Sequence, residues 1–259
     1  MSLLFVAFIT GLSLFFLMLV AAEVGRHIGA ARLARHSGEL AKGSGSTEAA
    51  VFALFGLLVA FTFSGAASRF EDRRHLIADE ANAIGTAYLR LDLLPSDVQA
   101  PLRELFRTYV DVRYGVYRQY EDDVATRTKL AESAELQAAI WGMASSAVLE
   151  QGTPTSTATL VLGSLNEMID ITDTREMATR NHPPLAVFLL LGTLSLACAL
   201  LVGYDTSPNA RRSWLHTVTF AAIVSLTVYV IIDLEFPRLG FIRVDSADVA
   251  LAELRESMQ

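Results

Sequence analysis

The chain has 259 residues, 52% of them hydrophobic, with a formal net charge of −7 and one cysteine, Cys198. The acidic balance argues against nucleic acid as a partner, since phosphates demand a basic face; a lone cysteine supports neither an intramolecular disulfide framework nor a cysteine metal centre. Four uncharged apolar runs, 3–22, 49–68, 185–204 and 214–232, each hold 19 or 20 residues, enough at about 1.5 Å per residue to cross a hydrocarbon core of about 30 Å, so membrane lipid is the first partner implied.

Lipid cannot satisfy free backbone N–H and C=O groups, so each run is expected to be a helix. The fold expected is all-α: four transmembrane helices with a helical extramembrane domain inserted between the second and third spans. The divisions expected are 1–68 for the first two spans, 69–182 for the domain, 183–235 for the last two spans and 236–259 for a C-terminal tail.

The first span ends in Val20-Ala21-Ala22, a passable cleavage site, but its apolar run is too long for a signal peptide and no basic residue precedes it, so a retained span is expected. Residues 26–42, with Gly38, Gly43 and Gly45 at or near the end, read as a connecting loop.

The second span carries Ala49, Ala53, Gly56, Ala60, Ser64 and Ala67 on one narrow helical face. Small residues in such a row let helix backbones approach closely, which makes a packing seam the simpler expectation. The functional reading is a lining face flanked by Leu57 and Phe61, with Ser64 as its polar member, because a constriction of apolar side chains gates ions by expelling water.

Beyond Ser68 no Gly or Pro interrupts the helix, which should run to about Leu94 before Pro95-Ser96-Asp97 stops it. The charges just past the span, Arg69, Glu71, Asp72, Arg73 and Arg74 and then Asp79 and Glu80, suggest local pairs such as Arg69 with Asp72 and Glu71 with His75 in a solvated belt. Alternatively, Arg69 or Arg74 rings a vestibule and concentrates anions.

Three further helices are expected in the domain. Leu102, Leu105, Phe106, Tyr109, Val110, Val112 and Val116 recur near a 3.6 period over 100–120. A second helix spans about 126–149, and a third, about 156–180, places Leu160, Val161, Leu165, Met168 and Ile169 on one face. The cluster Glu121-Asp122-Asp123 lacks the staggered oxygens and glycine turn of a calcium loop. His27, His36, His75, His182 and His216 lack the i, i+4 pairing of a zinc helix. No metal, cofactor or enzyme activity is therefore expected, and no nucleophile with a base or glycine-rich phosphate loop is present. Asp233 and Glu235 leave the fourth span ahead of Phe236-Pro237 and read as a solvated exit, the alternative being that one of them pairs with an arginine of the belt.

Basic residues do not assign an orientation. Arg26, Arg32, Arg35, Lys42, Arg211 and Arg212 in the short loops oppose Arg69, Arg73, Arg74, Arg175, Arg180, Arg238 and Arg243 at the other ends.

The run AFTFSGAASRFEDRR from Ala60 resembles the bestrophin stretch in which an aromatic leads through a small and polar segment to an arginine, aromatics, an acid and another arginine. Phe61, Ser64, Arg69, Phe70, Asp72 and Arg74 fall on matching positions, as does Asn82. Nearly the full chain is similar to the bacterial bestrophin-like domain, on 61–70, on 80–90 and on Asp233-Leu234-Glu235 before Pro237 and Gly240. The pattern departs from true bestrophins at Phe63 and at Phe70-Glu71, and the family's proline-containing neck signature is absent.

The resemblance implies a homo-oligomeric, pentameric passive channel for small anions in the inner cell membrane. Its second helix would line the pore with Leu57, Phe61 and Ser64; Arg69 and Arg74 would be vestibule charges, and Asn82, Asp233 and Glu235 structural residues. The 69–182 domain would be cytoplasmic. The alternative is a non-conducting membrane scaffold or sensor whose acidic domain binds a partner. An ion-driven stator is disfavoured because no span contains a charge.

Overall fold

The computed structural model describes residues 3–35, 45–118, 123–149, 153–207, 214–237 and 241–258. Expectations resting on Gly38, Lys42, Gly43, Glu121, Asp122, Arg211, Arg212, Arg238 and Gly240 lie outside those residues. The described chain is all-helical, with α1 Leu3–Arg35, α2 Gly45–Arg90, a 3₁₀ turn Leu91–Leu93, α3 Ser96–Arg118, α4 Asp123–Leu149, α5 Thr155–Arg180, α6 Leu185–Asp205, α7 Trp214–Glu235 and α8 Asp245–Ser257. Four helical stretches, Phe5–Arg35, Gly45–Leu93, Thr155–Asp205 and Trp214–Glu235, each contain a window apolar enough to cross a membrane.

The chain forms two compact units. The first comprises Met1–Arg69 and His182–Ile242. In it α1 packs on α6 and α7, and glycines decide how closely. A Cβ on Gly25 would stand 1.9 Å from the Leu200 carbonyl oxygen, and one on Gly203 would stand 1.8 Å from that of Ala22. The α1–α6 interface is therefore backbone against backbone, the approach that small residues permit where apolar side chains gain little by leaving lipid. Cys198 is buried within α6. Met18 and Leu191 are also fully enclosed.

Two expectations change here. The segment 26–35, read as loop, continues α1 as helix to Arg35, because no Pro or helix-ending glycine motif stops it. The pairing of Gly25 with Leu200, and of Gly29 with Tyr204 and Ser207, sets Glu23, Arg26 and His27 beside the last turns of α6's apolar run. Glu23 lies 3.8 Å from Arg26 and 3.3 Å from His27, so charges do stand at the depth of one end of that run.

The second unit comprises Phe70–Asn181 and Arg243–Gln259. Its core joins Ile84 and Leu91 with Leu102, Phe106, Tyr109, Ile140, Leu165 and Met168. The segment beyond 236, expected as a tail, contains α8, which packs on α3 and places Leu251 in that core. Its signal is the helical spacing of Leu251, Leu254 and Met258, short enough to be passed over in a terminal segment.

Gly25→Ala should force α1 and α6 apart and lower the melting temperature in detergent, at about 1–3 kcal/mol for an overpacked interface. Gly56→Ala, where nothing lies within 4 Å, should leave it unchanged or slightly raised, alanine being the better helix former by about 1 kcal/mol.

Candidate functional site

Within the first unit the apolar half of α2 has two unlike faces. Phe55 and Ala66 are buried, and Phe52 meets Phe220 of α7 edge to face at 6.1 Å. The other face is uncovered. Ala53, Gly56, Leu57, Ala60, Phe61 and Ser64 are exposed, with Phe61 at 69% and Leu57 at 53%. A helical rise puts Leu57, Phe61 and Ser64 in one row, at spacings of four and three. Among the described residues no packing seam forms on these exposed small residues, and the close approaches belong to Gly25 and Gly203 instead.

At the end of the run, Arg69 does not pair with Asp72. Its Nε donates to both oxygens of Glu235, at 3.0 and 3.1 Å, and its Nη2 donates to Oε2 at 2.8 Å. Gly65, one turn earlier, leaves room for the guanidinium, since a Cβ there would stand 3.2 Å from Nη1. Glu235 is fully buried, so the solvated exit gives way to the alternative expectation, a pair between one of these acids and an arginine of the belt. His182 adds a third group, with Nδ1 3.2 Å from Glu235 Oε1 and its ring stacked on Phe236 at 4.6 Å. Asp233 is buried too; its carboxylate accepts the backbone N–H of Phe241 at 2.9 and 3.1 Å and that of Ile242 at 2.8 Å. That carboxylate links Phe241 and Ile242 to the last turn of α7.

In the second unit Arg74 pairs with Glu71 at 3.0 Å on an exposed surface, in place of the Glu71–His75 pair expected. Asn82 is exposed on α2.

Sequence reasoning missed the most buried charge cluster. Glu80, read as part of a solvated belt, is 0% exposed. Arg113 Nε donates to its Oε1 at 2.6 Å and Arg175 Nη1 to its Oε2, which ties α2, α3 and α5 together. Beside it Tyr109, Thr172 and Gln137 share hydrogen bonds of 3.0–3.2 Å that draw in α4. Burial by itself would raise the Glu80 carboxyl, but the charges and hydrogen bonds of Arg113 and Arg175 outweigh it and hold the group below its ordinary value. The signal was present in the sequence, since Glu80 falls in line with Ile77 and Ile84, Arg113 with Phe106 and Tyr109, and Arg175 with Leu165 and Met168. Each is a charge standing in an apolar stripe.

The bestrophin-like domain matches residues 19–249, and the chain belongs to that family. A structure of a bacterial bestrophin homologue from Klebsiella pneumoniae, solved as a point variant, is similar at 16% identity and a TM-score of 0.67, covering 97% of this chain and 98% of that one. A second variant from the same organism is similar at 15% identity and a TM-score of 0.65, covering 95% and 98%. A variant described as a membrane protein is similar at 17% identity and a TM-score of 0.66, also over 95% and 98%. At these identities the likeness is one of fold. No functionally curated protein matches the sequence.

Glu80→Gln should cost about 3–5 kcal/mol, the usual range for removing one partner of a buried pair, and lower the melting temperature accordingly. Because the folded carboxyl titrates below its ordinary 4.5, its stabilisation is present above that value and lost as pH falls through the folded one. The wild-type melting temperature should therefore drop more steeply below about pH 4.5 than that of Glu80→Gln.

Proposed function

We propose that this bestrophin-like protein is a passive anion channel formed by several copies of the chain, with α2 lining the path. One observation carries the reading: among the described residues the small-residue face of α2, with Leu57 and Phe61, is left exposed while α1, α6 and α7 pack on one another. Copies arranged around an axis would turn that face inward, Phe61 forming the apolar constriction and Ser64 a polar station next to it. Apolar rings of this kind close a path to ions by dewetting and open with a small change in radius. The family resemblance supports five copies, the inner membrane as location and a cytoplasmic helical domain.

The geometry alters one role. Arg69 is neutralised by Glu235, so Arg69 anchors the pore helix and contributes little to anion attraction. Arg74, 43% exposed at its side chain but beside Glu71, is a weak source of field as well. The reading is therefore of a channel governed by its apolar constriction more than by a charged vestibule.

Chloride efflux from liposomes containing the purified protein tests this. Flux above that of empty liposomes is expected, and Phe61→Ala should raise it severalfold by widening the constriction. Flux equal to empty liposomes in both forms would remove the channel reading in favour of a membrane scaffold or sensor. Protease cleavage within 70–181 in sealed inside-out vesicles should confirm the cytoplasmic side.

A further inference from the structure

Where the apolar half of α2 ends, one carboxylate joins three parts of the first unit. Glu235 closes α7, Arg69 follows the second apolar run, and His182 precedes Pro183-Pro184 at the entry to α6. Glu235 has no exposed side-chain surface, whereas 26% of Arg69 and 32% of His182 remains accessible. A buried anion thus meets a permanent cation and an imidazole that water can reach. Imidazole is the one side chain whose ordinary charge change falls between about pH 5 and 8.

The surroundings leave few competitors for that role. Asp233 is committed to the amides of Phe241 and Ile242. On the helices packed around this end, α1 has no acidic, basic or histidine side chain from Phe5 to Ala22, and α6 has none from Leu185 to Tyr204. In α7, His216 lies at the opposite end of the helix, and Tyr229 precedes Asp233 by about one turn. Glu235 faces His182 directly and Arg69 shares the same carboxylate; one turn beyond Arg69, the buried Arg73 donates to the carbonyl of Asn181, the residue before His182.

We propose that His182 is the proton sensor of a clamp in which Glu235 holds Arg69, so that acidification tightens the grip on the exit of α2. A neutral imidazole offers Glu235 a weak donor or a repelling lone pair, depending on its tautomer. A protonated one makes a charge-assisted bond, about twice as strong as a neutral one. It also changes the charge of the Arg69–Glu235–His182 group from zero to one positive. Stacking on Phe236 keeps the ring in place in both states. The clamp does not depend on conduction; only its consequence for ion flow rests on the channel reading above.

The test does not require conduction. Ser68→Cys places a thiol on an exposed position next to Arg69, and the one native cysteine, Cys198, is buried, so a nitroxide label reports a single site. In lipid, the label's spectrum should broaden reversibly between pH 8 and pH 5. His182→Gln and His182→Phe, one able and one unable to donate to Glu235, should both lose the shift, and Glu235→Gln should give the mobile spectrum at both pH values. A spectrum that does not change with pH in the Ser68→Cys protein, or a shift that persists in both His182 variants, would overturn the clamp. A protein that shifts yet passes no anions supports the clamp and tells against the channel. One that passes anions with a flat spectrum overturns the clamp alone.

Discussion

A carboxylate removed from water must be given cations and donors in return, and both units of this protein are organised around that demand. The effective cost of burying a single ion is several kcal/mol, repaid only when the geometry is close and the remaining lone pairs are used. Glu235 and Glu80 are each fully enclosed. The first is met by a two-pronged guanidinium and an imidazole, the second by two guanidiniums. In each case the partners come from segments about 30 to 170 residues away, so the demand fixes how distant stretches of chain are registered. Apolar packing alone would tolerate a helix sliding by part of a turn; a bidentate arginine does not.

The larger outline was legible because it follows from strong, simple signals. Runs of 19 or 20 uncharged residues, a helical period in the polar segment and Pro95 or Pro183-Pro184 at the breaks lead to the four spans and to α3, α4 and α5 nearly as found. What stayed hidden depends on pairing. Arg69 has an acid three residues away in its own helix and finds its partner 166 residues further on. Local spacing favours Asp72; a pair between a belt arginine and Asp233 or Glu235 is the alternative expectation, and the packed structure selects Arg69 with Glu235. Glu80 was hidden differently, by its neighbour Asp79, which made it look like half of a solvated pair. The small residues of α2 misled in a third way: composition marks a face that backbones can approach, but a single chain says nothing about whose backbone does so.

The two faces of α2 divide its duties. One is held by Phe52, Phe55, Ala66 and Arg69 against its own unit, and the other is left open. The close glycine contacts lie elsewhere in this unit, between α1 and α6.

That glycine interface also sets an order of events during synthesis. Gly25 and the Leu200 carbonyl it rests against lie about 175 residues apart, which at about 5–20 residues per second corresponds to about 10–35 s of translation. For that interval α1 has entered the bilayer without its principal partner. Its glycine face then lacks the partner it has in the folded unit, because α2 to α5 are made before α6 arrives. The first helix made is consequently among the last to be locked in place, and the newly made chain passes through a stage in which its membrane half is inserted but not yet assembled.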